Sequence, residues 1–235
     1  MREDIKGVAF DLDGTLYPNY RLNTIILPFV LKEWRLIAAF GRARNIIRKE
    51  QKINTQNNAQ LSQTSTLMDD FYTYQAEITA KILSVEPKQL KEKIDRMIYR
   101  GWEPLFKKVK LFKGVHETLT ALQKAGYKLG LLSDFPPEVK LENLGLSGYW
   151  DVIHCSERCG ALKPHPLSFI KLADAMSLPP ENILYVGNSH AYDVLGAAGA
   201  GMKTAWIKPV LGAKKKPDPD FSFTNYRQFN SYMLL

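Results

Sequence analysis

The stretch Val8-Ala9-Phe10-Asp11-Leu12-Asp13-Gly14-Thr15-Leu16 ends an apolar run in two carboxylates one residue apart, then closes with Gly-Thr. A short apolar run bounded by a turn signal reads as a buried strand. In an open parallel sheet, ligands collect beyond the carboxyl ends of the strands. Asp11 and Asp13 therefore stand where chemistry is expected. Side chains at i and i+2 along a strand lean to the same side, so the two carboxylates repel unless a cation sits between them. A hard divalent ion such as Mg²⁺ suits oxygen donors of this kind. Taken alone, Asp-x-Asp-Gly-Thr also reads as a turn followed by a helix cap, with Gly14 permitting unusual backbone angles and Thr15 capping.

Further along, short apolar runs recur at Lys128–Leu132, Val152–His154, Ile183–Val186 and Thr204–Ile207. They alternate with segments of helical period such as Val115-Leu119-Leu122 and Phe169-Leu172-Ala173-Met176. This β-α-β-α rhythm predicts an α/β fold, a doubly wound, Rossmann-like parallel sheet with helices on both faces. The rhythm breaks after the first strand. From about Leu22 to Gly101 only helical stretches are read, at 22–51, 66–83 and 87–99, which predicts an all-helical subdomain spliced into the sheet domain. The expected division is 1–17 plus 104–235 for the core and 18–103 for the insert. Residues Asn54 to Thr66 lack charge and are poor in apolar groups, so a loop is expected there.

Bulk composition narrows the class. A chain of 235 residues with 45% hydrophobic and 24% charged residues can bury a real core and is neither disordered nor membrane-like. The N-terminus carries no signal-peptide apolar region and no run approaches a membrane span, so a cytoplasmic protein is expected. The cysteines, Cys155 and Cys159, lack zinc spacing and read as small structural residues, even with His154 and His165 nearby. The net charge of +8 is regional. Between Arg21 and Ile53, eight basic residues face two acidic ones. The basic run from Lys32 to Lys52 reads first as the solvated outer side of a helix, with attraction of an acidic substrate and docking on nucleic acid as the alternatives. Trp34 and Trp102 read as packing aromatics. Without a stripe of exposed aromatics, a primary nucleic-acid role is disfavoured. Lys214-Lys215-Lys216 lies among Pro and Asp residues and reads as a solvated loop.

Other strand ends carry further chemistry: Ser133-Asp134 after the second run, Lys163-Pro164 after the third, and Gly187-Asn188-Ser189-His190-Ala191-Tyr192-Asp193 after the fourth. With Asp11-Leu12-Asp13-Gly14-Thr15 these resemble, in order, the four motifs of the haloacid dehalogenase superfamily, over about Gly7 to Pro209.

The resemblance implies a phosphatase whose insert is a helical cap carrying selectivity. It implies Asp11 as nucleophile, forming an aspartyl-phosphate, and Asp13 as acid and then base. Ser133, Asp134, Gly14 and Thr15 would surround the phosphate, with Lys163 restraining charge. Asp11, Asp13 through its carbonyl, Asp193 and Asn188 would hold Mg²⁺. Tyr17, Asn19 and Arg21, just past the first motif, would lie near the cap hinge and the substrate. The dehalogenase branch lacks an acid at the position of Asp13, so phosphoryl transfer is favoured. The implied partner is a small phosphorylated metabolite, with the protein a monomer or homodimer. A phosphomutase of the same family and a non-catalytic phosphate-ligand binder are the alternatives. The chain departs from the family twice. Asn188 stands where an acid is usual, which should weaken Mg²⁺ binding. Asp134 stands where Asn is common, and its carboxylate must be paired or turned away.

Overall fold

The computed structural model describes residues 2, 4–57, 70–209 and 216–234. Its centre is a six-stranded sheet of β1 (Gly7–Phe10), β2 (Lys128–Ser133), β3 (Val152–Cys155), β4 (Ile183–Gly187), β5 (Lys203–Ile207) and β6 (Phe221–Phe223). The strand order is β3-β2-β1-β4-β5-β6 and every pairing is parallel. The five strands read from sequence are present. The sixth strand was not foreseen.

Alternation along the strands builds two cores. Val8 and Phe10, Leu129 and Leu131, and Leu184 and Val186 point to one face, where α6 (Val115–Lys124) and α10 (Tyr226–Leu234) supply Leu119, Leu122, Phe229 and Met233. Ala9, Leu132, Ile183 and Tyr185 point to the other, against Phe169, Leu172 and Met176 of α8 (Pro166–Met176) and Ala197 of α9 (Leu195–Gly199). Strands buried on both faces must be apolar throughout, which is why they read as continuous runs.

After β1 the chain leaves the sheet into α1 (Asn19–Lys32), α2 (Trp34–Asn57), α3 (Phe71–Leu83) and α4 (Pro87–Ile94). A wide π-type turn over Asp95–Tyr99, the short α5 (Arg100–Trp102) and a 3₁₀ segment over Glu103–Lys108 bring it back. Leu36, Phe40, Ala76, Ala80, Leu90, Ile94 and Ile98 form a small apolar core inside this helical region. Between β2 and β3 lies α7 (Glu138–Asn143).

Three local expectations change. Residues 54–57, read as loop, continue α2, and the rest of that loop lies at 58–69, outside the described residues, as do Lys214 and Lys215. Trp34 is 62% exposed and does not pack, whereas Trp102 meets Phe29 edge-on at 6.0 Å. Both cysteines are free, Cys155 buried and Cys159 half-buried. No helix among the described residues is long and apolar enough to cross a membrane.

Candidate active site

The sheet order reverses direction at β1, whose neighbours are β2 and β4. The loops after these two neighbours diverge, leaving the crevice that parallel α/β sheets use for ligands. Asp11 emerges from β1, its N–H still bonded to the Val186 carbonyl of β4 at 2.9 Å. A pocket of about 510 Å³ opens there, with Asp11, Asp13, Asn19, Asp134, Lys163, Asn188 and Asp193 on its wall.

At its base lies Lys163, 4% exposed. Its ammonium donates to Asp11 Oδ1 at 2.6 Å and to Asp193 Oδ1 at 2.7 Å. The other Asp11 oxygen accepts from Thr15 Oγ1 at 2.7 Å, and the other Asp193 oxygen accepts from Ser189 N–H at 2.8 Å. Burial pushes the Asp11 carboxyl up to about 7 against the pull of Lys163, with the charges of Asp193 and Asp13 adding to the rise. Burial works against the charged form of Lys163, but the two carboxylates outweigh it and hold its pKa well above the ordinary lysine value. The ammonium's three donors meet Asp11, Asp193 and, at 3.3 Å, Tyr185 Oη, which fixes the nucleophile candidate in one orientation.

Asp13 is held separately. Tyr17 Oη donates to Asp13 Oδ1, and Lys140 Nζ on α7 donates to Oδ2 at 2.9 Å and to Oδ1 at 3.2 Å. Lys140 lies over the rings of Phe106 and Phe135 at 5.1 and 5.0 Å. Those quadrupoles favour the cation there. Burial and the Asp13 charge hold the Tyr17 phenol well above its usual pKa, so it stays a donor. Sequence reasoning missed Lys140, because nothing in Glu138-Val139-Lys140-Leu141 separates it from a surface lysine.

Asp134 does not face the pocket as an isolated charge. Arg48 Nη2 reaches its Oδ2 at 2.8 Å, Arg44 Nη2 the same oxygen at 3.3 Å, and the Lys163 N–H donates to Oδ1 at 3.0 Å. Burial raises its carboxyl pKa, but Arg44, Lys163 and Arg48 more than reverse this and leave it below the ordinary value. Arg44 also donates to Glu157 and, at 3.1 Å, to Gln75 Oε1. One helical turn on, Gln51 exchanges bonds with the Gly160 carbonyl at 2.7 Å and the Leu162 N–H at 3.1 Å.

The basic helix face is therefore not a solvated one at these positions. Residues 44, 48 and 51 lie on one side of α2 by helical spacing, and that side is clamped to the sheet domain. Arg44 is only 5% exposed. The i, i+4, i+7 spacing of Arg44, Arg48 and Gln51 was the available signal.

The sequence-predicted residues thus divide. Asp11, Asp13, Asp134, Lys163, Asn188 and Asp193 share the pocket wall. Thr15 is buried and serves the Asp11 carboxylate. Ser133 is 1% exposed, with its Oγ accepting from Phe135 N–H at 3.2 Å, and it supports the loop beneath the pocket. Gly14 has φ +91°, and a Cβ there would overlap the side-chain amides of Asn188 and Asn19. A Cβ on Gly187 would likewise overlap Asp193. These two glycines let the first and fourth motifs approach each other. Tyr17 is buried against Asp13, and Arg21 donates to the Lys110 and Leu111 carbonyls at 2.7 and 3.0 Å, so neither lines the pocket. Arg21 instead ties the start of α1 to the returning chain.

A cation here would draw on the Asp11 and Asp193 carboxylates, the Asp13 carbonyl and the Asn188 amide oxygen. All are hard oxygen donors, and Mg²⁺ needs few protein ligands because it keeps several waters. The residues fit such an ion by chemistry, although among the described residues no three His, Cys, Asp or Glu side chains are grouped as a metal cluster.

The family model of haloacid dehalogenase-like hydrolases matches residues 5–201, a span that contains every residue on the pocket wall. The chain belongs to the haloacid dehalogenase-like hydrolase family. Its relatives include the phosphoglycolate phosphatase of Escherichia coli strain K12, 31% identical over 215 residues that cover 85% of this chain and 79% of that one. The glyceraldehyde 3-phosphate phosphatase of Pyrococcus furiosus is 28% identical over 210 residues, covering 87% and 81%. Among solved structures, a phosphatase of this family from Thermococcus onnurineus superposes with a TM-score of 0.62 at 24% identity over 97% of both chains. A 2-haloacid dehalogenase from Pseudomonas syringae superposes with 0.65 at 21% identity, also over 97% of both. Both phosphatase and dehalogenase structures share the fold of this hydrolase, so fold likeness alone does not choose between the two chemistries.

Proposed function

We propose that this hydrolase is a Mg²⁺-dependent phosphatase that cleaves the phosphate monoester of a small metabolite through an aspartyl-phosphate, with residues 18–103 acting as its cap. The observation that carries the reading is the shared ammonium: Lys163 Nζ holds Asp11 and Asp193 at 2.6 and 2.7 Å, with Asp13 on the same wall.

Asp11 attacks phosphorus, forming an O–P bond as the bond to the ester oxygen breaks. Asp13 delivers its proton to that departing oxygen. Water then attacks the aspartyl-phosphate, Asp13 takes the water's proton, and inorganic phosphate leaves with Asp11 restored. Lys163 offsets the negative charge of Asp11 and of the phosphoryl oxygens in both steps. The Asp11 carboxylate, the Asp13 carbonyl, Asp193 and Asn188 would hold Mg²⁺, which when bound neutralises phosphoryl oxygens and keeps Asp11 ionised against the effect of burial. Arg44 and Arg48 cancel the charge of Asp134, which would otherwise repel a phosphate dianion.

Relatives named as phosphatases, at 28–31% identity over most of the chain, support the reading. So does Asp13, since halide needs no proton to leave and an alkoxide does. Hydrolysis of 4-nitrophenyl phosphate with Mg²⁺ and with excess EDTA tests it, alongside the Asp11→Asn variant. Mg²⁺-dependent release by the wild type and a loss of at least about a thousandfold in the variant are expected. No Mg²⁺-dependent turnover across a broad panel of phosphate esters would favour a phosphate-ligand binder instead.

A further inference from the structure

A second cavity, of about 650 Å³, lies beneath the helical region and shares Asp13 and Phe135 with the pocket just described. Its apolar lining includes Ile26, Ile94, Ile98, Trp102, Phe106 and Phe135. Asp13, the residue that would protonate the departing oxygen, stands where the two spaces meet. A leaving group beside Asp13 therefore has the apolar cavity next to it. A space of this size suits a ligand of drug-like dimensions, far larger than a two-carbon acid.

Its charges point the same way. The cationic residues on the described wall are Lys91, Arg100 and Lys140, against the acids Asp13, Asp70, Asp95 and Glu103. Each cation already faces one of those acids: Lys91 Nζ is 2.5 Å from Asp70, Arg100 Nη2 is 2.8 Å from Asp95, and Lys140 Nζ is 2.9 Å from Asp13. Four acids against three cations leave no surplus positive charge for a carboxylate on the leaving group. None of the basic residues between Arg21 and Ile53 is on this wall, and Arg44 and Arg48 are engaged on Asp134 and Glu157.

Building on the phosphatase reading, we propose that the preferred substrate is a phosphate monoester of an uncharged, largely apolar alcohol or phenol, whose body fills the cavity lined by Ile26, Ile94, Ile98 and Trp102. This separates the chain from its phosphoglycolate-cleaving relatives in substrate class while keeping the same chemistry.

The test is kcat/KM, with Mg²⁺, for ethyl, butyl, hexyl and 1-naphthyl phosphate and for phosphoglycolate, in the wild type and in Leu22→Trp and Asn23→Trp. Both substituted positions line the cavity; Leu22 is half-buried at the edge of the sheet-domain core and Asn23 is exposed, so a large ring narrows the space, at Asn23 without touching that core. Burial of each added methylene should raise kcat/KM by about three- to fourfold until the space is filled. Hexyl phosphate should then exceed ethyl phosphate by at least tenfold, and phosphoglycolate should fall below ethyl phosphate. Each tryptophan should cut the hexyl-to-ethyl ratio at least fivefold. The ratio is taken within one protein, so partial misfolding cancels from it. A series that is flat or falls with length, phosphoglycolate as the best substrate, or a rising series that neither tryptophan alters would overturn the proposal and leave the phosphatase reading standing. Failure to turn over any member would remove both.

Discussion

Arg48 Nη2 lies 2.8 Å from Asp134 Oδ2, a pairing that joins the middle of α2 to the loop after β2 on the wall of the candidate active-site pocket. Arg44 shares that oxygen and reaches Glu157, so one carboxylate pair and one arginine pair close the helical region onto the sheet domain. Charges this buried are costly to bring together and costlier to separate. Removing only Arg44 leaves Glu157, 1% exposed, and Asp134 with reduced compensation. Arg44→Met is expected to destabilise the protein by about 3–5 kcal/mol, read as a lower urea midpoint. The double variant Arg44→Met/Glu157→Met should recover much of that loss, and no recovery would sink the pairing argument.

The same cluster sets an acid limit on stability. The pKa of Asp134 is depressed in the folded protein, because Arg44, Lys163 and Arg48 outweigh burial. A group with a depressed folded pKa is better ionised folded than unfolded, so its contribution is fully present above the unfolded aspartate value near 4 and is lost as pH falls through the folded value. Wild-type stability should drop below about pH 4 more steeply than that of Asp134→Asn. Parallel urea titrations between pH 6 and 3 check this. Equal acid slopes would contradict it.

How far the sequence speaks depends on which interactions are local. β1, β2, β4 and β5 were legible because central parallel strands are largely buried and read as apolar runs, the half-exposed edge strand β3 from its Val152-Ile153 pair, and the wall residues Asp11, Asp13, Lys163 and Asp193 because short motifs follow the strands. β6 and α10 were not, since Phe221-Ser222-Phe223 is only three residues long and follows the Pro- and Asp-rich stretch Pro217-Asp218-Pro219-Asp220. Their place is fixed by Tyr226, Phe229 and Met233 filling the core beside Phe10. Arg44 and Arg48 were misread as a solvated face for a related reason. Their partners, Asp134 and Glu157, are 86 to 113 residues away, and charge pattern on a helix does not reveal a distant acid. Lys140, held to Asp13 across 127 residues, was invisible on the same ground.

Lys140 offers the cleanest test of a positioning residue. It contacts Asp13 rather than the expected place of phosphorus, and Phe106 and Phe135 fix it from behind. Lys140→Met removes the bond that orients the acid while keeping much of the aliphatic packing. We expect kcat to fall about tenfold to a hundredfold, part of the 10²–10⁴ that general acid–base groups supply, with KM for 4-nitrophenyl phosphate changed less than threefold. Lys140→Arg should retain most of the rate. A purely structural role would instead lower the melting temperature and leave kcat per folded molecule unchanged.

Asn188 tests the metal site from the other side. It lies on the pocket wall with Asp11 and Asp193, its backbone carbonyl accepts from Trp206 Nε1 at 2.9 Å, and its side-chain amide packs where Gly14 lacks a Cβ. Asn188→Asp is nearly isosteric, so it changes charge without changing fit. In the metal-free protein the added carboxylate joins Asp11 and Asp193, which already share the Lys163 ammonium, and the melting temperature should fall by a few degrees, corresponding to about 1 kcal/mol of like-charge repulsion. With Mg²⁺ the sign reverses, because the extra hard anionic donor raises metal affinity. A ligand that binds the native state stabilises it by RT ln(1 + [L]/Kd), so at the same Mg²⁺ concentration the variant should gain more melting temperature than the wild type. Its half-maximal Mg²⁺ concentration for turnover should drop by about tenfold, the equivalent of one pairwise charge interaction of about 1.4 kcal/mol. Thermal melts in EDTA and in a Mg²⁺ series, run beside the rate titration, separate the two effects. An unchanged Mg²⁺ requirement together with an unchanged metal-dependent melting shift would remove Asn188 from the proposed ligand set.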